Sequence, residues 1–415
     1  MTRVHVIDCI MGSGKTSYML DFMKSVENIH DRYVIVVPIL TEVKRWQEEL
    51  TDPLLPTPMA PEYRDDQNKT ADFKQLLRHR ARRIIITHAM FDRVDDEVIS
   101  LFRDGEYNLI IDEVPTPISE IRIHDGDLRV LITGQTLLIN QETRQVTWNP
   151  KYLRESTSYK ELRELCATGK VYYNEESKGL YKISPYSAYL SCKRIFILTY
   201  MFEAQIISCY FKAKGIEYDK FSIEQMSGDG EYHLIDYNPI WDKSLDLKSL
   251  ICICHNEKMN AIGKSNNAFG VSWMKRHAKD YPQIKKHMFN FIRNICKAKT
   301  NDVMWTTFKN YQEAIESKGC KQGFIAVNSR ATNDYSDKTV VIYLANRFFS
   351  PKMKNYFGIE DKELRFDEDA YALSEMLQFI WRSAIRTGKP INLYIPSSRM
   401  RGLLEKWIEE NSVPA

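Results

Sequence analysis

No apolar stretch in these 415 residues approaches the ~18 needed to cross a bilayer, so no membrane span is expected. None of the eight cysteines (Cys9, Cys166, Cys192, Cys209, Cys252, Cys254, Cys296, Cys320) forms a C-x-x-C pair. Their scatter along so long a chain argues against a disulfide framework and for a reducing compartment. A metal at Cys252, Cys254 and His255 is disfavoured because adjacent strand positions face opposite ways; a buried apolar strand accounts for them better. There is no internal repeat and no low-complexity tract. The first strand-like run, 4–8, leaves no room ahead of it for a signal peptide, and a cytoplasmic location is expected. Net charge is only +3, which neither requires nor excludes a polyanionic partner, because clefts matter more than totals.

What is present is an average soluble composition, 43% hydrophobic and 27% charged, in a length that suits two ordinary domains, each with its own core. Two stretches are locally basic, 74–83 (KQLLRHRARR) and 275–286 (KRHAKDYPQIKK). Each reads equally as a solvated helix face or as a surface for a polyanion.

Residues 1–115 alternate β-rich runs with helical patterns, as parallel α/β units do. Strands are expected at 4–8, 33–37 (YVIVV), 83–87 (RIIIT) and 108–112 (NLIID). After the first, Tyr18, Met19, Phe22, Met23 and Val26 recur at helical spacing and should face a core. Between about 119 and 190 the rhythm breaks. The segments 137–148 and 170–184 alternate around polar turns and read as hairpins, hence an insertion in the first domain. The rhythm resumes at 194–199 (RIFILT). Further strands are expected at 302–307, 323–327 (GFIAV), 338–344 and 389–396, before a closing helix at 400–410. The expected division is 1–205 and 206–415, an α/β architecture in each.

Strand, then Met11-Gly12-Ser13-Gly14-Lys15-Thr16-Ser17, then amphipathic helix, is the context a phosphate-binding loop needs. Successive N–H groups in the glycine turn and the helix N-terminus bind phosphate oxygens. Lys15 would reach the β and γ phosphates of ATP and the Thr16 hydroxyl would ligate Mg²⁺. The full pattern has Gly where Cys9 stands. A second element ends an apolar strand in two carboxylates: Asp112 to hold the Mg²⁺ shell, Glu113 to orient and deprotonate the attacking water. Phosphate transfer to a substrate does not need that glutamate, so hydrolysis is the expected chemistry. Gln378, Arg382 and Arg386 lie at spacings of four within a helix expected over 369–387, with Leu373, Leu377, Ile380 and Ala384 on its other side. Two arginines on one stripe can stabilise charge in the transition state.

In order, MGSGKT, VVPILTEV (36–43), IITHAMF (85–91), LIIDEV, FILTYM (196–201), AVNSRATNDYSDKTVVIYL (326–344) and QFIWRSAIR resemble the superfamily 2 helicases and translocases of the DEAD/DEAH type. The layout is most similar to compact helicase-like proteins encoded by bacteriophages. The resemblance implies two tandem RecA-like domains with ATP in the cleft and nucleic acid across both, in the bacterial host cytoplasm. It assigns Thr199 to coupling hydrolysis with movement. It assigns Pro38, Thr41, Thr87 and His88 to the strand-contacting face, joined by Asn328, Arg330 and Thr332 from the second domain. The sequence departs from the family at Trp381, where Gly is usual, and in LTYM, where a Ser-Ala-Thr type is usual. Only eight residues precede Cys9, leaving no place for an adenine-reading glutamine, so weak base selectivity is expected.

The expected activity is therefore ATP-dependent movement on, or remodelling of, nucleic acid, DNA rather than RNA. Other proteins of replication or recombination stay open as partners. Two rival readings are a viral DNA-packaging ATPase and a nucleotide-gated clamp without turnover. The first needs a nuclease site, for which Asp361, Glu363, Asp367, Glu368 and Asp369 offer one acidic segment. A nucleoside kinase would start similarly but needs half this length. The hairpins of 119–190 are the candidate for touching or splitting a duplex.

Overall fold

Val34 to Val37 and Ile84 to Ile86 are β-branched at every position, which favours extended backbone and leaves no polar face for water. In the computed structural model, which describes residues 3–51, 56–62, 68–225, 230–238, 246–327, 335–360 and 366–412, these runs form strands buried on both sides. The strands of the first half are β1 (Arg3–Asp8), β2 (Arg32–Val37), β3 (Arg83–Thr87) and β4 (Tyr107–Asp112). The insertion supplies β5 (Ile118–Ile121), β6 (Leu137–Ile139), β7 (Val146–Trp148), β8 (Val171–Asn174) and β9 (Gly179–Ile183). Then come β10 (Arg194–Thr199), β11 (Asp219–Gln225) and β12 (Tyr232–Asp236). They assemble a seven-stranded sheet in the order β12-β11-β1-β10-β4-β2-β3, parallel throughout except for the antiparallel β11–β12 pair.

Two compact units result. The first comprises Met1–Asp8, Gly14–Asp236 and Phe349–Phe366; the second comprises Cys9–Ser13, Tyr237–Phe348 and Asp367–Ala415. The first unit thus runs past the expected cut at 205/206. The physical reason is β11, which pairs in parallel with β1 through His5↔Asp219 to Ile7↔Phe221 and so completes the first sheet. The amino end of that sheet is tied by Arg194, which donates to Asp31 Oδ2 (2.6 Å), Asn108 Oδ1 (3.0 Å) and Asn28 Oδ1 (3.2 Å). The helix after the glycine turn spans Lys15–Lys24 and buries Met19 and Met23. It stops short of Val26, which is 90% exposed rather than in the core.

Both expected hairpins form, β6 with β7 and β8 with β9, and β5 adds to the latter to make β5-β9-β8. With helices Asp125–Thr133 and Lys160–Cys166 they enclose a small core of their own, from Leu128, Leu137, Val146, Trp148, Leu162 and Leu180. Lys182 Nζ reaches Asp92 Oδ2 (2.8 Å), and buried Lys170 donates to the Asp92 carbonyl. Asp92 therefore anchors the insertion to the end of the short helix His88–Phe91.

The second unit holds a parallel sheet, β13-β16-β15-β14, from β13 (Ile251–Ile253), β14 (Val303–Thr306), β15 (Val340–Tyr343) and β16 (Ile391–Tyr394). Trp305, Ile342, Leu344 and Tyr394 pack with Met274, Met288 and Phe291 in its core. The closing helix is Ser398–Asn411. Cys252 lies on edge strand β13 and is exposed, so that strand is not fully buried as expected. Residues 323–327 do not make the expected strand: the 3-10 turn Lys321–Gly323 runs into them, and a single parallel bridge, Phe324↔Trp305, with Ile325 N–H to Trp305 O (3.0 Å) and Val327 N–H to Thr307 O (3.3 Å), ties them to β14. Gly323 permits this approach, because a Cβ there would sit 2.1 Å from the Val303 carbonyl oxygen. Gly323→Ala should therefore cost about 1–3 kcal/mol, the range for overpacking against immovable backbone, read as a lowered urea midpoint with unchanged slope.

Candidate functional site

Ligands of parallel α/β sheets bind beyond the carboxyl ends of the strands, where the order reverses. Register decides which residues meet there. Asp8 at the end of β1 pairs with Thr199 at the end of β10, and Leu198 pairs with Asp112 at the end of β4. Val36 pairs with Ile111, and Val37, just before Pro38, pairs with Thr87. The glycine turn, Asp112–Glu113, Thr199, Pro38 and Thr87–His88 thus all leave one edge of one sheet. A single strand, β10, lies between the turn and the carboxylates, so β1 and β4 are two strand spacings apart, about 10 Å.

Gly12 and Gly14 have φ of +87° and +89°, in the left-handed region that side chains avoid. Gly14 caps helix Lys15–Lys24 without any side-chain hydrogen bond, and no acidic residue occupies the first turn. The first N–H groups and the positive end of the helix dipole therefore meet no carboxylate of that turn. Ser13 N–H closes the turn on Ile10 O (3.3 Å). Below the turn, Asp8 is 5% exposed and accepts from Phe202 N–H (3.1 Å). Burial pushes its carboxyl up from the ordinary range, opposed by that hydrogen bond and by Lys15. Tyr232 of β12 lies against Gly14 so closely that a Cβ there would be 2.1 Å from the ring. The glycine is thus required twice, by its backbone angle and by the ring.

Asp112 is held from one side. Trp46 Nε1 donates to its Oδ2 (3.0 Å) and Arg45 pairs with the same oxygen (3.4 Å), both from helix Leu40–Leu50. Arg45 also bridges to Glu42 (2.7 Å). Among the described residues, no group of three or more His, Cys, Asp or Glu could cage a metal. Mg²⁺ needs no such cage, since it keeps waters and takes one or two carboxylates beside phosphate oxygens. Asp112 with its Oδ2 engaged, and the Thr16 hydroxyl, are hard oxygen donors that fit this. Glu113 adopts φ +59° while its N–H donates to Leu198 O (3.2 Å). A side chain in that region costs on the order of 1 kcal/mol.

His88 Nε2 lies 3.3 Å from the Asp112 carbonyl, so it sits beside the acidic pair. Thr87 caps the His88 helix through Met90 N–H. The Thr199 hydroxyl is buried and accepts from Gln205 Nε2 (2.8 Å). Thr41 lies exposed on helix Leu40–Leu50, and Pro38 is half-buried. Asn328, Arg330 and Thr332 fall outside the described residues.

The helix carrying Gln378 spans Glu368–Ile380, not 369–387. Trp381 is buried and packs edge-on against Trp407 (5.6 Å), Ser383 Oγ caps the Ile380 carbonyl (2.6 Å), and Ala384 N–H is recruited by Lys338 O (2.9 Å). These contacts end the helix and start a separate 3-10 turn, Ala384–Thr387. Gln378, Arg382 and Arg386 therefore do not share one helical stripe: Arg382 is 8% exposed and Arg386 is open to solvent. The apolar positions Leu373, Leu377, Ile380 and Ala384 are all buried, as their spacing implied. Asp8, Trp46, Gln205 and Tyr232 were not legible in the sequence, since each acts on a residue brought near only by the sheet.

Two family descriptions match: "YonV C-terminal Rossmann-like domain" over residues 245–408 and "YonV middle domain" over residues 118–181. The latter coincides with the insertion. The chain is 33% identical over 419 residues to the "SPbeta prophage-derived uncharacterized protein YonV" of Bacillus subtilis (strain 168), covering 99% of both. Among solved structures it is similar to a DUF1998 helicase, MrfA, bound to DNA and AMPPNP, at 12% identity and a TM-score of 0.36. All of this chain but about half (49%) of that one is covered. A score at this level establishes neither a shared fold nor a shared activity.

Gly14→Ala should cost about 2–4 kcal/mol, from left-handed strain and the ring clash together. Adding Tyr232→Ala should return only the steric part; no recovery in urea unfolding would show that the ring does not press on the turn. Asp8 gives a pH signature. Its folded pKa lies above the unfolded value near 3.8. The stabilisation it lends is thus present below that value and lost as pH rises through the raised one. Asp8→Asn, which keeps the acceptor, should gain stability relative to the parent as pH rises above the ordinary carboxylate value of about 4. A difference that does not change with pH through that range would refute the desolvated carboxyl.

Proposed function

The chain belongs to the YonV family, and we propose that it hydrolyses ATP and couples turnover to movement along, or remodelling of, nucleic acid, DNA rather than RNA. One observation carries this reading. The glycine turn leaving β1 and the Asp112–Glu113 pair leaving β4 share a sheet edge, one strand apart. That spacing leaves room for a triphosphate between an anion-binding turn and a pair of carboxylates.

In this mechanism the N–H groups of Gly12, Ser13, Gly14, Lys15, Thr16 and Ser17 bind the phosphates, and Lys15 neutralises them. Thr16 and Asp112 would hold Mg²⁺, which would supply Lewis-acid stabilisation of the phosphates. Trp46 and Arg45, both on Oδ2, keep the Asp112 carboxylate from rotating. Glu113 accepts the proton of the attacking water as the new O–P bond forms and the bond to ADP breaks. Arg382 and Arg386 stabilise charge on the transferring group. Gln378 is assigned with them.

Thr87, His88, Pro38 and Thr41 are assigned to the nucleic-acid strand, with Asn328, Arg330 and Thr332 from the second unit. His88 touches the Asp112 backbone, so a strand pulling on His88 would be felt at the carboxylates. Thr199, hydrogen-bonded to Gln205 beside β1 and β4, is assigned to coupling. The proposed motor is of the superfamily 2 DEAD/DEAH type, built from two tandem RecA-like domains.

The packaging-ATPase alternative needs acidic metal ligands before the Gln378 helix. Asp367 instead caps that helix through Ala370 N–H (2.9 Å) and Asp369 pairs with Arg399 (2.6 Å). Asp361 and Glu363 fall outside the described residues.

The test is the ATPase rate of the whole chain alone, with single-stranded DNA, with duplex DNA and with RNA. At least one DNA form should stimulate it strongly, and Lys15→Ala and Glu113→Gln should abolish turnover. DNA binding with negligible turnover in the parent would favour the clamp and defeat the motor. Trp46→Phe removes only the donor to Asp112 and should weaken the Mg²⁺ dependence about 10–100-fold, as orienting partners of metal ligands do. Arg382→Ala and Arg386→Ala should lower kcat far more than nucleotide affinity; equal losses in both would remove them from the mechanism.

A further inference from the structure

The two basic stretches of the sequence meet different fates. In the first, Lys74 is paired with Asp95 (2.6 Å) and Glu97 (2.8 Å), Arg78 with Glu97, and Arg83 is 1% exposed. Three of its five cations are thus paired or buried, while Arg80 and Arg82 are exposed and make no ion pair among the described residues. In the second unit, residues 275–299 carry eight Lys or Arg and a single acid, Asp280. Lys275, Arg276, Lys279, Lys286, Arg293 and Lys297 are all exposed. Among the described residues, none of the eight makes an ion pair; Arg276 and Arg293 donate only to backbone carbonyls, Ser272 O and Ala298 O. Like charges unpaired along one face repel one another, and a polyanion that replaces their counterions relieves this.

The face is ordered, not a loose tail. Helix Tyr281–Asn290 runs into a π-helical turn, Phe291–Ile295, closed by Cys296 N–H to Phe291 O (2.9 Å). Its inner side, Ile284, Met288, Phe291 and Ile292, is locked in the core. The outer side carries Lys286, Phe289 and Arg293 at spacings of three and four, one stripe of the helix. Phe289 stays 51% exposed between the two cations. At 1.5 Å per residue the 281–295 segment extends about 22 Å, enough to follow several phosphates. Exposed cations with an aromatic face between them are the elements of a stacking, backbone-tracking groove. A membrane surface would want a continuous apolar stripe between the charges, and here the apolar side faces inward.

We propose that this face, residues 275–299, is a second nucleic-acid track on the C-terminal unit, holding the backbone by Lys279, Lys286 and Arg293 and stacking a base on Phe289. None of the strand-contacting positions assigned above lies in it. The proposal deepens the reading of the chain as a nucleic-acid motor and rests on it for the identity of the polyanion.

The experiment measures affinity of the full chain for a labelled single strand and for a duplex across a salt series. The parent should show log K falling linearly with log[salt]. The triple variant Lys279→Gln, Lys286→Gln, Arg293→Gln should flatten that slope by about 2–3, since each contact contributes about 0.7–0.9. Phe289→Ala should weaken the single strand at least about fivefold with the slope unchanged. ATPase without DNA should stay at the parent level in both, and unchanged thermal midpoints would show them folded. A parent that binds no nucleic acid defeats the motor reading itself. A parent that binds, with the triple variant showing the same slope and affinity, overturns this inference alone. So does a triple variant that loses binding only to phosphatidylserine vesicles or to polyglutamate.

Discussion

Strand register in the seven-stranded sheet is the constraint on which the candidate site depends. The pairings Asp8↔Thr199, Leu198↔Asp112 and Val37↔Thr87 bring five chain segments to one edge at the same height. A slip of one residue would turn every side chain of a strand to the opposite face. These strands are buried on both faces, which penalises slippage less through polarity than through shape. Here the amino end supplies the missing specificity: Arg194 binds Asp31, Asn28 and Asn108 together, and such a half-buried network tolerates only one alignment of β10 with β4.

Charge at the carboxyl edge is arranged rather than merely accumulated. Asp8 sits beneath the turn, where burial pushes its carboxyl up from the ordinary range against the pull of Lys15 and the Phe202 N–H. Asp112 is engaged through one oxygen by Trp46 and Arg45, and Glu113 is held in a strained left-handed conformation. The helix start carries no acidic residue in its first turn and no side-chain cap. The insertion, though it has a core of its own, is fastened to the same edge through Asp92, which ends the helix that His88 begins.

Much of this was legible from residues alone where the signal is local. Unbroken β-branched runs announced buried parallel strands, the glycine turn needs φ values only glycine adopts cheaply, and alternation around polar turns marked both hairpins. Where local and tertiary preferences compete, the local pattern misled. GFIAV has strand chemistry, but Gly323 is drawn against the Val303 carbonyl and its neighbours are left with scattered bonds to β14. The arginines after Gln378 keep helical spacing, yet Trp381 on Trp407 and the Lys338 carbonyl on Ala384 N–H end the helix first.

The sequence by itself determined the local elements: a glycine turn between strand and helix, an Asp-Glu strand end, α/β units and an inserted module, because each is written in neighbouring residues. Only the tertiary structure decided which residues attend those elements. Asp8, Trp46, Arg45 and Tyr232 owe their roles to strands and helices far apart in the chain, and pairing across a sheet leaves no mark on spacing. The same holds for charge: two basic stretches look alike in sequence, and only folding shows that Asp95 and Glu97 pair with Lys74 and Arg78 of one, while the other makes no ion pair among the described residues.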